Sequence, residues 1–282
     1  MSVWLPGAPC TPRECVEATG VSVVTGVLGA LRLTAVIGLL LAGIALAPFG
    51  ARIPAGAVRR WSRWIVRAAG VRVRITGGAA PAGGLLLVAN HISWLDVPLL
   101  AAVRPARMLA KREVRQWPVA GALAARGGAL FIDRDRLRAL PDTVARIAGA
   151  LRSGAAVGVF PEGSTWCGRA QGRFRRAVFQ AALDARVPVQ PVRIRYFLAD
   201  GAATALPAFV GEDALLTSVW RVVTARGLTA EADVRPVIPP HTRPDRGALA
   251  RAAERATTDT REGSAGTDAT SGARPAPAVH GG

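Results

Sequence analysis

Cysteine is scarce in this chain, whose 282 residues contain only Cys10, Cys15 and Cys167. Three cysteines cannot form the disulfide framework that holds small secreted domains together. The first two are separated by four residues and lack the further ligands of a zinc site. Cys167 is isolated in the sequence, so we interpret it as a small loop residue rather than a nucleophile. This pattern favours a reduced compartment.

Lysine, tyrosine and acidic residues are also scarce. Lys111 is the single lysine, there is one tyrosine, and 19 Asp and Glu stand against 36 Lys and Arg, giving a formal net charge of +17. Such an excess favours an acidic partner, namely nucleic acid, anionic lipid or a phosphorylated substrate. With one tyrosine and no recognisable nucleic-acid module, the sequence does not favour nucleic acid. The skew towards arginine also resembles a coding bias, so the position of each charge matters more than the total.

Charge is absent from one long stretch near the N-terminus. Residues 21–49 are mostly apolar with Arg32 as their only charge, and residues 33–49 have none. The uncharged part is at the lower limit for crossing a bilayer, and the stretch reaches a comfortable span when it is extended back through Arg32. Its late start and length argue against a signal peptide. We therefore predict a hydrophobic helix here, preceded by a flexible lead over residues 1–20.

The next segment, residues 54–70, has the pattern of an amphipathic helix. Val58, Trp61 and Ile65 recur at helical spacing, while the arginines fall elsewhere on the helical wheel. This pattern is typical of a helix that lies on an anionic membrane surface. The alternative is an ordinary surface helix with solvated arginines. Residues 21–70 are predicted to be a membrane anchor. If the apolar segment spans the bilayer, the positive excess places the following domain at the cytoplasmic face of the inner membrane.

From residue 71 onwards, strand and helix patterns alternate. Strands are predicted at residues 71–76, 85–88, 107–110, 129–132, 156–160, 187–194 and 230–238, and helices at 94–103, 113–125, 137–152, 176–185, 214–226 and 246–257. Alternation of this kind predicts an α/β domain over residues 71–257, with a mixed, mostly parallel sheet flanked by helices. Residues 258–282 are rich in Thr, Gly, Ser, Ala and Pro and are predicted to be disordered.

A histidine and an aspartate stand together at the end of the second predicted strand. The buried-strand pattern of residues 84–88 is followed by Asn-His-Ile-Ser-Trp-Leu-Asp at residues 90–96, so Asp96 lies about one helical turn beyond His91. A neutral imidazole can take a proton near pH 7, and a carboxylate on its other nitrogen fixes the tautomer. His91 is therefore a candidate general base. The alternative is a loop histidine bonded to an aspartate that caps a helix.

Three further blocks accompany this pair. They are Gly-Ala-Leu-Phe-Ile-Asp-Arg at residues 128–134, Phe-Pro-Glu-Gly-Ser-Thr at 160–165 and Val-Pro-Val-Gln-Pro-Val at 187–192. In order and spacing, the four blocks resemble the lysophospholipid acyltransferase family, whose best-known members are the 1-acyl-glycerol-3-phosphate acyltransferases. That family carries NHxxxxD, GxxFIxR, FPEG and VPxxPV blocks. The resemblance covers roughly residues 70–238, and four blocks in register are far more specific than any one of them.

The resemblance implies a role for each matching residue. His91 would deprotonate the acceptor hydroxyl as its oxygen attacks an acyl thioester, and Asp96 would hold the imidazole ring. Arg134 would bind the acceptor phosphate through its guanidinium fork. From their own position directly after a predicted strand, Lys111 and Arg112 are candidates to join that patch. No cofactor or metal is predicted. The acyl donor, acyl-CoA or acyl carrier protein, would be a co-substrate.

The FPEG block raises two open questions. Glu162 would either bond the acceptor's hydroxyls or brace the loop, while backbone N–H groups around Gly163 would stabilise the oxyanion. Ser164 and Thr165 complete the predicted substrate-binding set. Thr165 occupies the position where phosphatidate-forming members often carry arginine. Lysophosphatidate is the leading predicted acceptor. Another lysolipid, such as lyso-ornithine lipid, and hydrolysis by the same fold are the alternatives.

Overall fold

The computed structural model describes residues 7–17, 20, 22–78, 81–117, 119–133, 137–240 and 242–258. The strands are β1 (Arg72–Gly77), β2 (Leu85–Ala89), β3 (Arg107–Lys111), β4 (Leu130–Ile132), β5 (Ala156–Val159), β6 (Val189–Phe197) and β7 (Thr229–Val234). The α-helices are α1 (Pro12–Cys15), α2 (Val23–Leu46), α3 (Ala55–Ala68), α4 (Asp96–Val103), α5 (Ala120–Arg126), α6 (Leu140–Arg152), α7 (Ala177–Ala185), α8 (Leu215–Thr224) and α9 (Arg246–Thr258). Short 3₁₀ helices cover Ala47–Arg52, Arg112–Gln116 and Leu137–Ala139.

Within these residues the strands form one sheet in the order β1-β7-β6-β2-β5-β3-β4. Every neighbouring pair is parallel except β6 and β7, which are antiparallel. This confirms the predicted mixed, mostly parallel sheet. Because β2, β3, β4 and β5 run in the same direction, the loops that follow them emerge at one edge of the sheet, where α/β folds usually place their ligands.

Strand β2 lies at the centre and is buried on both faces, which explains its unbroken apolar sequence. Leu85 and Leu87 point into one core cluster, on the face covered by α3 and α4. Leu86 and Val88 point into the other cluster, together with side chains of α6, α7 and α9. The strand that leads into His91 is thereby held from both sides of the sheet.

The helix predicted at residues 113–125 is two shorter elements. A 3₁₀ helix covers Arg112–Gln116 and α5 begins at Ala120. Pro118 falls between them in the sequence, and a proline has no backbone N–H to continue a helical ladder. Val119, just before α5, has a positive φ of 61°. The prediction was wrong at this point because apolar spacing alone does not register the missing donor.

Helix α2 matches the predicted hydrophobic helix and leaves most of its apolar surface uncovered. Val23–Phe49 is long and apolar enough to cross a membrane, judged by length and composition, and it is the one such span among the described residues. Arg32 points towards the protein, where its Nη1 donates to the carbonyls of Val223 and Ala225, each at 2.8 Å. These carbonyls lie at the C-terminus of α8, where a cation is favourable. The single charge of α2 therefore joins the helix to the domain.

Helix α3 forms where the amphipathic pattern predicts it, but its apolar side faces the protein rather than lipid. Ile65 and Val66 are buried, α3 packs against α4 and α2, and the Nε1 of Trp61 donates to the Leu39 carbonyl at 3.2 Å. The exposed side carries Trp64 and the arginines. Apolar periodicity locates a buried face but does not say whether protein or lipid covers it.

The predicted flexible lead over residues 1–20 does not hold for residues 7–17. Cys10 is buried, and α1 begins after Thr11, whose hydroxyl caps the helix by accepting from the Glu14 N–H. Glu17 forms an ion pair with Arg169 at 3.2 Å and accepts a hydrogen bond from the Thr204 hydroxyl. The disordered tail predicted at 258–282 lies outside the described residues, apart from Thr258, which ends α9.

Candidate active site

His91 and Asp96 form the pair that their spacing predicts. The Nδ1 of His91 lies 2.8 Å from Oδ2 of Asp96. Asp96 is the first residue of α4, and His91 is in the loop between β2 and that helix. The Asp96 side chain is fully buried, whereas that of His91 is 22% exposed. The carboxylate is therefore shielded, while the ring can still reach a ligand.

Asp96 also organises the loop that carries His91. Its Oδ2 accepts from the backbone N–H groups of Ile92 at 2.6 Å and Ser93 at 2.8 Å. Its Oδ1 accepts from the Tyr196 hydroxyl at 2.6 Å. The alternative reading of the sequence was that Asp96 binds backbone N–H groups. The carboxylate does so, and it also binds the imidazole of His91.

Tyr196 is a site residue that the sequence predictions missed. It lies on β6, is almost fully buried, and burial followed by the Asp96 charge raises the pKa of its phenol well above the usual range. A phenol that keeps its proton can serve as a permanent donor to the carboxylate. The strand alternation of Val192, Ile194 and Tyr196 marks it as inward-facing, but only the pairing of β6 with β2 brings it next to Asp96.

The imidazole is oriented by packing as well as by hydrogen bonding. It stacks on the ring of Phe160, with centroids 4.0 Å apart and an interplanar angle of 10°. Phe160 directly follows β5, the strand beside β2. With Nδ1 on Asp96, the Nε2 atom finds no hydrogen-bond partner within the described chain. A ring held this way presents Nε2 as an acceptor for a substrate proton.

Asn90 fixes the start of the same loop. Its side-chain amide donates to the Ile194 carbonyl at 2.9 Å, and its Oδ1 accepts from the Ile194 N–H at 2.8 Å. These two hydrogen bonds replace the backbone pairing between strands at the point where β2 ends. Asn90 was visible in the sequence as the first residue of its block, yet its function as a clamp follows from the neighbouring strand.

Glu162 accepts hydrogen bonds from two loops. Its Oε2 accepts from the His91 N–H at 2.7 Å and its Oε1 from the Gly172 N–H at 2.9 Å. The side chain is almost completely buried, and this burial raises the pKa of Glu162 from 4.5 to about 8, although the two N–H donors act in the opposite direction. Both oxygens of Glu162 thus accept from backbone N–H groups, as the bracing alternative predicts, and its role towards the acceptor's hydroxyls stays a prediction.

The structure changes which backbone N–H groups near Gly163 are candidates for oxyanion donors. The Gly163 N–H donates to the Phe160 carbonyl at 3.1 Å in a turn where Gly163 has a φ of 79°, a conformation that favours glycine. The backbone N–H groups of Ser164 and Thr165 have no partner in the described part of the chain. The Thr165 hydroxyl donates to the Phe209 carbonyl, so it holds this loop in place.

The same loop is joined directly to the histidine. The backbone N–H of Trp166 donates to the His91 carbonyl at 2.8 Å. Three contacts therefore join this segment to His91: the Trp166 bond, the hydrogen bond to Glu162 and the stacked ring of Phe160. The structure therefore assembles His91, Asp96, Glu162, Gly163, Ser164 and Thr165 in one place.

A basic region lies further along the same sheet edge. Lys111 ends β3 and pairs with Glu113 at 3.1 Å, while Arg112 pairs with Asp133 at 3.1 Å. A cavity of about 240 Å³ opens beside them, lined by Arg112, Arg115, Phe131, Asp133, Ala139, Thr143 and Arg146. Arg134, the predicted phosphate ligand, lies outside the described residues. Arg112 is a candidate for this patch in the sequence, whereas Arg115 and Arg146 were not predicted as ligands, because their approach depends on the neighbouring β3 and β4.

Comparisons with known proteins agree with this geometry. The family model described as Acyltransferase matches residues 71–195. Lyso-ornithine lipid O-acyltransferase of Pseudomonas aeruginosa is 38% identical over 240 residues, which cover 80% of this chain and 90% of that protein. 1-Acyl-sn-glycerol-3-phosphate acyltransferase of Neisseria gonorrhoeae is 37% identical over 150 residues, covering 53% of this chain and 58% of that protein.

A solved structure supports the fold. The crystal structure of the 1-acyl-sn-glycerophosphate acyltransferase of Thermotoga maritima matches with a TM-score of 0.60 and 18% identity, covering 83% of this chain and 92% of that chain. The family match and the Pseudomonas relative show that the chain is an acyltransferase. The chain belongs to the lysophospholipid acyltransferase family, as its four sequence blocks predict.

We predict that His91→Ala lowers the acyl-transfer rate by about two to four orders of magnitude, the usual range for loss of a general base. The fold should survive, because the ring is partly exposed and Asp96 keeps its other donors. Steady-state kinetics on detergent-solubilised protein would measure the loss, with His280→Ala as the control. A folded His91→Ala variant with normal turnover would contradict the assignment.

Asp96→Asn should lower stability as well as activity. An amide group cannot accept at both positions, so buried donors would lose their acceptor, each at about 1–3 kcal/mol. We therefore expect both activity and thermal stability to fall, as measured by steady-state kinetics and thermal melting of the same preparation. A variant that loses activity and melts as the wild type does would show that Asp96 acts on the ring alone.

Stability should depend on pH through Glu162. Between about pH 4.5 and about 8 the folded state keeps a proton that the unfolded state releases, so this group's contribution to the unfolding free energy declines as pH rises through that window and is constant above it. Denaturant unfolding across the window should show this slope, and Glu162→Gln should flatten it. Exposed Glu212→Gln serves as the control, and equal slopes in all three proteins would refute the prediction.

Proposed function

We propose that this protein transfers a fatty acyl chain from a thioester, acyl-CoA or acyl carrier protein, to the free hydroxyl of a lysolipid. The observation that carries the proposal is the His91–Asp96 pair, with Nδ1 held at 2.8 Å and Nε2 left for the substrate. Relatives named for transfer to lysophosphatidate and to lyso-ornithine lipid support the acceptor class.

The proposed reaction uses His91 twice. Nε2 takes the hydroxyl proton as the acceptor oxygen attacks the thioester carbonyl carbon, and Asp96 stabilises the imidazolium that forms. The N–H groups of Ser164 and Thr165 are the candidate donors to the oxyanion. When the carbon–sulfur bond breaks, the imidazolium returns the proton to the departing sulfur. The products are an ester and a free thiol, and His91 is neutral again.

The cavity lined by arginines is the candidate site for the acceptor's charged head. Arg112, Arg115 and Arg146 would supply donors for a phosphate or carboxylate. Strand spacing places the ends of β3 and β4 about 10–14 Å along the edge from the end of β2. At that separation the cavity would take the charged end of an acceptor while its hydroxyl lies at His91. Lys111 and Arg134 remain proposed members of this patch.

Thr165 favours lyso-ornithine lipid over lysophosphatidate as the acceptor. Its hydroxyl binds the Phe209 carbonyl, so this position offers no cation to a phosphate monoester. The relative that matches over 80% of this chain is named for lyso-ornithine lipid. Lysophosphatidate, the leading acceptor from the sequence alone, becomes the second candidate, supported by cavity arginines that suit a phosphate.

Membrane attachment would come chiefly from α2. Its exposed side chains include Val23, which is 84% exposed, and Val27 and Leu31 along the same helix. The outward arginines and Trp64 of α3 would then meet anionic headgroups. The positive excess after α2 supports placement of the catalytic domain at the cytoplasmic face of the inner membrane.

We predict that the wild-type protein acylates lyso-ornithine lipid in preference to lysophosphatidate, and that Thr165→Arg shifts kcat/KM towards lysophosphatidate. A new charge-assisted contact of about 1.5–3 kcal/mol corresponds to a shift of roughly 10- to 100-fold. Thr165→Ser, which keeps the hydroxyl, serves as the control. A wild-type preference for lysophosphatidate would assign the phosphate acceptor instead. Fatty acid release without either lipid would indicate a hydrolase.

Full-length protein should stay with membranes after a high-salt wash. Burial of apolar area resists screening by salt, whereas attraction between arginines and headgroups does not. Replacing the outward Arg59, Arg60 and Arg63 by glutamine should therefore leave sedimentation in high salt unchanged. Recovery of the wild-type protein in the soluble fraction would contradict an anchor at α2.

A further inference from the structure

The fold gathers all three cysteines of the chain into one cluster. Cys10 lies just before the short helix α1, and Cys15 is the last residue of that helix. Cys167 lies two residues beyond Thr165 in the active-site loop. Their sulfur atoms all lie within 4.8 Å of one another. Cys10 and Cys167 are buried and Cys15 is half-buried. The CxxxxC pair that lacked a further ligand in the sequence gains one from the folded chain.

The spacing of the three sulfurs suits a shared metal ion. Thiolates around a tetrahedral zinc at about 2.3 Å lie about 3.8 Å from one another, so small side-chain rotations would close the cluster. A disulfide, with a sulfur–sulfur bond of about 2.05 Å, would use two of the three and leave the third as a buried thiol. A thiophilic ion uses all three sulfurs.

The surroundings of the cluster already hold its sulfurs in place. The backbone N–H of Trp166, the residue before Cys167, donates to the His91 carbonyl at 2.8 Å and so fixes the loop that carries this cysteine. Supporting contacts of this kind orient metal ligands. On the other side, the Glu17–Arg169 ion pair at 3.2 Å keeps the N-terminal segment against the same loop. Both halves of the cluster are thus positioned by contacts that do not involve a bond between sulfurs.

We propose that Cys10, Cys15 and Cys167 bind one Zn²⁺ ion, with water in the fourth position. The ion would fasten residues 10–15 to the loop that holds the His91 carbonyl through Trp166. Its role is structural, since His91 and Asp96 complete the catalytic pair without it. Metal binding and acyl transfer can therefore be measured separately, and neither result depends on the identity of the acceptor lipid.

Cobalt titration of the reduced, metal-free, full-length protein in detergent tests the proposal. Thiolate-to-cobalt charge-transfer absorption should saturate at one Co²⁺ per chain and disappear when Zn²⁺ displaces it. Serine at any of the three cysteine positions should weaken binding by at least about tenfold, since even changes to residues that only support metal ligands cost that much. Arg13→Lys, a change at an exposed position of α1 that keeps the charge and all three thiols, should bind as the wild type does.

Two results would overturn the proposal. One is cobalt affinity that is unchanged in all three serine variants. The other is a non-reduced protein whose mass is lower by two hydrogens, which would show a disulfide in the cluster. Cys15→Ser is the variant that best preserves the fold, because Cys15 is only half-buried. Thermal melting supplies an independent check: Zn²⁺ should raise the Tm of the wild type and leave that of Cys15→Ser unchanged.

Discussion

The active site depends on one buried carboxylate and the donors that satisfy it. A charge removed from water is tolerated only when its oxygens are fully hydrogen-bonded. Asp96 meets this requirement with two backbone N–H groups, the imidazole of His91 and the phenol of Tyr196. These donors come from the loop after β2 and from β6. The same bonds that solvate the charge therefore fix the position of His91.

Two buried acids, Asp96 and Glu162, make different contacts at this edge of the sheet. Asp96 accepts four hydrogen bonds, including one from the side chain of the general base. Glu162 accepts two, both from backbone, and burial raises its pKa to about 8. Asp96 binds the imidazole of His91, while Glu162 joins the loops after β2 and β5. Glu162 of the FPEG block thus holds the histidine loop through the His91 N–H.

The sequence predicted most of the elements, because each strand and helix carries its own apolar periodicity. It also predicted the His91–Asp96 pair, which lies within one loop and one helical turn. Tyr196, Arg115 and Arg146 were missed, because their approach depends on which strands are neighbours in the sheet. Local patterns do not contain that order. The apolar face of α3 was assigned to lipid for a similar reason: periodicity marks a buried face without naming what covers it.

The tautomer of His91 is the most direct test of the central claim, that Asp96 sets the ring for proton transfer. Nitrogen-15 NMR of histidine-labelled protein, with the His91 signals assigned by their loss in His91→Ala, would measure it near neutral pH. A ring bonded to Asp96 as described should carry its proton on Nδ1, with that proton shifted downfield and Nε2 unprotonated. Asp96→Asn should abolish that signature if the variant folds. A wild-type ring protonated on Nε2 would leave no base facing the substrate and would contradict the account.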